Sequence, residues 1–180
     1  MSELLLTRSD SSNISELLQW VPERDDLRAW SGTYFSYPLT SSQLLDHSGR
    51  LENAGHLSLS FFGSLENGEA AAYGEICEIQ RGASAMLRRI LVRPGNFRRK
   101  GYREKFVGKL LNIAFREYEV HRVYLGVFEF NEAAIALYRK LNFTHEGAWR
   151  EHVRDGEEFL TLNWMGILRA EWDKQVRAKK

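Results

Sequence analysis

Apolar positions along this chain recur with two periods, and the alternation between them sketches its elements. Residues 4–7 read as a short strand. After Ser11-Ser12, Ile14, Leu17, Leu18 and Val21 follow helical spacing until Pro22 closes the segment. A second helix is predicted from Thr40, because Gln43 three residues on completes a capping-box pattern. Between the two lies a loop dense in aromatics: Trp30, Tyr34, Phe35 and Tyr37. Leu57, Leu59 and Phe61 alternate with Ser58 and Ser60, the period of a half-buried strand, and Asn67-Gly68 supplies a hairpin turn. Residues 70–80 and 83–92 flank Arg81-Gly82 as two longer antiparallel strands. Beyond the Pro94-Gly95-Asn96 break, a helix is predicted over 101–117. Its core stripe is Phe106, Leu110 and Ala114, flanked by Val107, Leu111 and Tyr118.

Val123, Leu125 and Val127 alternate as a further strand. Asn131 is placed to cap a helix carrying Ala134, Ile135, Tyr138 and Leu141. Strands over 144–153 and 158–167 meet at Asp155-Gly156, and a polar tail containing Trp172 is compatible with a helix. The order is β-α-α-β-β-β-α-β-α-β-β. The β-α-β stretch over 85–127 implies one parallel connection in a mostly antiparallel sheet flanked by helices, hence an α/β (α+β) layered fold.

Composition narrows the function classes. The 180 residues are 43% hydrophobic and 27% charged, enough for a sizeable core under an ordinary soluble surface, and residues 1–180 are expected to form one domain. A formal net charge of +1 gives no global field toward nucleic acid or an acidic membrane. A single cysteine, Cys77, excludes an internal disulfide framework and fits a reducing cytoplasm. The start lacks a basic n-region, and no apolar run approaches the ~20 residues that span a bilayer.

The stretch that carries chemistry runs Ile90-Leu91-Val92-Arg93-Pro94-Gly95-Asn96-Phe97-Arg98-Arg99-Lys100-Gly101-Tyr102-Arg103. A strand enters a basic, glycine-bearing loop that opens an amphipathic helix. Unpaired N–H groups and the helix dipole there favour a pyrophosphate. Arg98, Arg99 and Lys100 add cationic partners, and Gly101 permits close approach to the main chain. On residue types alone, a solvated basic face or a nucleic-acid contact through Arg93, Arg98, Arg99, Lys100 and Arg103 stays open.

This loop resembles that of the GNAT superfamily of N-acetyltransferases, whose pattern is Gln/Arg-x-x-Gly-x-Gly/Ala. Arg98 and Gly101 match it, and Arg103 replaces the small third residue. The segment from Leu125 through Asn131 and Tyr138 to Phe143 is similar to the family's strand-Asn-helix-Tyr unit, with Asn142 in place of a glycine. Glu146-Gly147, Asp155-Gly156 and residues 164–168 resemble the branch that acetylates ribosomal-protein N-termini. The resemblance implies a GNAT-type sheet, acetyl-CoA as co-substrate without a metal, and an amine acceptor (a peptide N-terminus, an amino acid or a small amine). Nucleic acid and membrane are not expected partners, and a homodimer is left open.

Residue by residue, the resemblance implies that the backbone of Ile90, Leu91 and Val92 pairs with the pantetheine arm, one N–H polarising the thioester carbonyl. It implies that Arg98, Arg99, Lys100, Gly101, Tyr102 and Arg103 cradle the pyrophosphate, and that Asn131 holds the pantetheine arm, although a simple helix cap explains Asn131 equally. Tyr138 matches the tyrosine that protonates the departing thiolate; its alternative is core packing. The general base is open. Some relatives carry a glutamate at the position of Gly126, so Glu75, Glu78 and Glu129 are the nearby candidates, with Glu78 chosen and His145 and His152 behind it. An acyl-CoA-binding module with little or no catalysis is the alternative function, prompted by Arg103 and Gly126.

Overall fold

A computed structural model describes residues 3–97 and 101–178. The strands are β1 (Leu5–Arg8), β2 (Leu57–Ser64), β3 (Ala70–Gln80), β4 (Ser84–Val92), β5 (Arg122–Phe128), β6 (Thr144–Asp155) and β7 (Glu158–Leu168). The helices are α1 (Arg24–Ser31), α2 (Ser41–Glu52), α3 (Tyr102–Asn112), α4 (Glu132–Lys140) and α5 (Arg169–Ala178). All seven strands form one sheet in the order β1-β2-β3-β4-β5-β7-β6, antiparallel except for β4 beside β5. The expected mixed, mostly antiparallel GNAT-type architecture is borne out. Among the described residues, no helix is long and apolar enough to cross a membrane.

The α2 start is borne out as well: Thr40 Oγ1 accepts from the Gln43 backbone N–H at 3.3 Å. The reciprocal half of the capping box is replaced, because the Gln43 side chain instead binds the backbone of Ser36 and Pro38 and pins the aromatic loop to the helix. The segment from Ile14 is shorter than its periodicity implies. It closes as a 3-10 turn over Ile14–Gln19, and a separate helix, α1, follows Pro22. Trp30, expected in a loop, therefore stands on α1. The signals for α1 were present: Asp25 and Asp26 in a first turn and Gly32 just beyond the last.

Two cores sandwich the sheet. On one face Phe106, Val107, Leu110 and Leu111 of α3 and Ala134, Tyr138 and Leu141 around α4 pack on Ala85, Leu87, Val123, Leu125 and Ile167. The predicted α3 stripe is buried as expected, and the helix loosens into a π-type turn over Ile113–Glu117. On the other face, Ile14, Leu17, Trp20, Leu27, Phe35 and Leu44 cover Phe62, Tyr73 and Leu91. This second layer reaches only the β1–β4 half; β6, beyond β7, is exposed along most of its length.

Candidate active site

The sheet splits along its one parallel seam. Strands β4 and β5 pair at Ser84–Arg122, Ala85–Val123 and Met86–Tyr124 and then separate. Each keeps its outer neighbour, β4 pairing with β3 as far as Val92 and β5 with β7 as far as Phe128. The gap is a cavity of about 720 Å³ walled by residues 86–92, residues 125–128, Asn131, Tyr138, Arg103 and the α1 residues Asp26, Ala29, Trp30 and Ser31. That volume suits one extended small-molecule ligand.

Two bulges shape the β4 wall. Opposite Gly74 of β3, strand β4 carries two residues, Arg89 and Ile90, and Arg89 takes φ 48°. Nearer the turn the asymmetry reverses, and Glu78 of β3 takes φ 53°. Each such non-glycine residue costs on the order of 1–3 kcal/mol and persists only where its surroundings hold it. Gly74 makes room for the bulge, since a Cβ there would lie 2.6 Å from Ile90 Cδ1 and 2.8 Å from the Phe106 ring.

Behind the bulge lies a buried ionic cluster. Glu75, with no exposed surface, accepts from Arg89 Nη1 at 2.6 Å, His47 Nε2 at 2.7 Å and the Tyr73 hydroxyl at 2.9 Å. Burial alone would raise the Glu75 carboxyl; the Arg89 charge, with His47 and Tyr73, overcomes it and brings the group from 4.5 to about 2. The Arg89 guanidinium stacks 3.9 Å over the Tyr34 ring. Three residues along β3, Glu78 is partly exposed, with Oε1 on Arg88 at 2.8 Å and Oε2 on the Tyr124 hydroxyl at 3.0 Å. It lines a second cavity with Trp149, His152 and Trp164, which meets the first at Met86 and Arg88.

The opposite wall holds Tyr138. It is 7% exposed, beside the Phe143 ring, and burial pushes its hydroxyl up to about 12 against the opposing charge of Arg103. The phenol is therefore a proton holder at neutral pH. Arg103 lines the cavity rather than pointing away from it. Gly101 caps the 11-residue α3 at φ 67°, and no described residue lies within 4 Å of where a Cβ would stand. Tyr102, by contrast, sends its side chain into the core against Phe97. Arg98, Arg99 and Lys100 lie outside the described residues.

Asn131 caps α4, its Oδ1 accepting from Ala134 N at 3.2 Å, and its Nδ2 donates to Ala29 O at 3.1 Å. That second bond ties α1 across the gap. Trp30 Nε1 donates to Arg89 O at 2.8 Å from the same helix, and Arg28 pairs with Asp155 at 2.6 Å and Glu158 at 2.7 Å on the last hairpin. Gly32, at φ 60°, lies against the Phe128 ring, 2.4 Å from where a Cβ would be. Sequence reasoning singled out the aromatic stretch beginning at Trp30 but missed the helix α1 that carries this residue, and with it Asp26. It also missed the pairing of Glu75 with Arg89, which no local pattern encodes.

The site joins a slot between strands, a helix start opened by Gly101 and a buried phenol. Residues 24–143 match the family described as acetyltransferase (GNAT). In fold, the chain is similar to a spermidine N-acetyltransferase from Vibrio cholerae in complex with CoA and spermine, with TM-score 0.80, 19% identity and coverage of 94% of this chain and 98% of that one. A chimera of the Vibrio cholerae enzyme SpeG and hSSAT matches with TM-score 0.78, 20% identity and coverage of 95% and 98%. At these identities the two structures speak to fold, and they do not single out the ribosomal-protein branch. The matched span, the split parallel seam and the motifs at residues 98–103 and 131–138 agree: the chain belongs to the acetyltransferase (GNAT) family and is an N-acetyltransferase whose co-substrate is acetyl-CoA.

Proposed function

We propose that this enzyme acetylates an α-amine, a peptide N-terminus or amino acid as in the ribosomal-protein N-terminal branch, by direct attack on the bound thioester. Acetyl-CoA supplies the activated acyl group. The backbone of Ile90, Leu91 and Val92 orients the pantetheine arm, an N–H of that stretch polarises the thioester carbonyl, and residues 98–103 take the pyrophosphate. Asn131 braces the slot through α1. Tyr138 keeps its proton until thiolate develops; a free thiol near ~8.5 is a better proton acceptor as thiolate than water is.

The observation that carries the choice of acceptor is the state of the carboxylates. Glu75, at about 2 and bound by Arg89, His47, Tyr73 and the Cys77 thiol, is a poor base. Glu78 has both oxygens engaged, so it takes a proton through Tyr124, whose hydroxyl already donates to it. With the oxygens of both carboxylates already engaged, the acceptor that demands less of its base is favoured. With reference values of ~7.8 for an α-amine and ~10.4 for lysine, the neutral fraction at pH 7 differs roughly 400-fold, or ~3.5 kcal/mol. A polyamine acceptor is the second reading, favoured by the shared fold with the spermidine enzyme. Thiol release with a lysine-free peptide bearing a free N-terminus, an N-terminally blocked lysine peptide and spermidine separates them. The free N-terminus is expected to give the highest kcat/KM; faster turnover of either other amine overturns this choice.

A further inference from the structure

We propose that Arg89 is a positioning residue: its guanidinium, locked into the Glu75–His47 pair, fixes the β4 bulge and so aims the backbone of residues 90–92 at the thioester. This rests on the acetyl-CoA reading above. Three separate contacts support it. First, the bulge is the point where β4 changes face, so that Arg88 and Arg89 both reach carboxylates of β3. Second, the side chain of Arg89 is held from three directions, by Glu75, by the Tyr34 ring and by Phe35 at 5.9 Å. Third, its backbone carbonyl is held by Trp30 Nε1. A residue at φ 48° clamped at both ends passes little slack to the residues that follow it.

The investment is otherwise unexplained. A charged pair this deeply buried is seldom the most stabilising filling for its volume, since apolar residues often do as well. Glu75 and His47 do not line the cavity, while Arg89 does. Of these three residues Arg89 is the one that reaches the slot, as part of the β4 wall. A planar guanidinium fixes direction as well as charge, which an ammonium does not.

The test uses Arg89→Met/Glu75→Gln, in which neither buried charge is left alone, beside Arg89→Lys and Trp30→Phe. Acetyl-CoA labelled with carbon-13 at the carbonyl is the probe. Its carbonyl stretch on the protein, its Kd by calorimetry and the Tm are measured for each. In the wild-type chain the stretch moves to lower frequency than in buffer. In the double variant Tm recovers toward wild type, whereas the stretch relaxes toward its buffer value and turnover stays roughly 10²-fold down. Arg89→Lys recovers part of the shift. A folded double variant with the wild-type stretch and Kd reduces Arg89 to a structural role and overturns the proposal. If the Arg89 and Glu75 variants fail to fold, Trp30→Phe decides: a partial relaxation supports the clamp, and an unchanged stretch overturns it. A wild-type chain that binds no acetyl-CoA removes the functional reading and the clamp together, whereas an unaltered stretch on bound wild type removes the clamp alone.

Discussion

The two halves of the sheet are built on different principles. From β1 to β4 both faces are clad, Glu75 has no exposed surface, and Arg89 spends its charge on a neighbour it cannot leave. From β5 to β6 one face is clad and the other is open, with Trp149 52% exposed, and the open side reaches back across β4 to the turn end of β3, where Glu78 sits at the rim. Two glutamates three residues apart on β3 thus live in opposite settings. The lesson is that the closed half fixes a main-chain direction and the open half stays free to receive an acceptor. The chemistry falls on the seam between them.

The largest effect expected is at the seam. Tyr138→Phe should lower turnover roughly 10²–10⁴-fold with nearly unchanged acetyl-CoA affinity and Tm, because the ring remains. Unchanged turnover under conditions where chemistry is rate-limiting would leave Tyr138 a core residue and the seam without its acid.

Within the closed half, Glu75→Gln breaks a buried ion pair and should cost about 3–5 kcal/mol in urea unfolding. Glu78→Gln should cost under ~1 kcal/mol yet reduce turnover on the order of 10²-fold if it receives the proton. Equal stability losses for the two variants would erase the contrast between the halves. Acid titration sharpens it further. The native Glu75 carboxyl, near 2, lies below its unfolded value near 4.5, so its contribution is fully present above pH 4.5 and is lost as the pH falls toward 2. That gap corresponds to ~3 kcal/mol. The double variant Arg89→Met/Glu75→Gln should lack this share of acid sensitivity when unfolding is followed from pH 5 to pH 2. A smaller effect is expected at Gly74→Ala. Its Cβ would press on Ile90 and Phe106, costing about 1–3 kcal/mol and displacing the bulge. A Tm and acetyl-CoA affinity both like wild type would show that the bulge has slack.

Much of the open half and of the seam was legible in the sequence. Alternation at Val123, Leu125 and Val127 and the Asn131 cap depend on nearest neighbours, and the helix stripe through Tyr138 repeats a fixed period. The Gly101 opening is likewise local. The closed half was less legible, because its defining contacts join residues far apart: His47 to Glu75 across 28 positions and Trp30 to Arg89 across 59. Bulges also defeat alternation, since they turn two consecutive arginines the same way. Thus Glu75 reads as a candidate base in the sequence, although its burial makes it an anchor.

The parted strands have one more consequence. Where β4 and β5 diverge beyond Met86 and Tyr124, their facing backbones do not pair with each other, so the molecule carries two sheet edges in its middle. Exposed edges invite a foreign strand to add itself. Helix α1 spans this opening, moored on one side by Trp30 to Arg89 and on the other by Asn131 to Ala29. Lying across both edges, α1 stands where an added strand would have to pair.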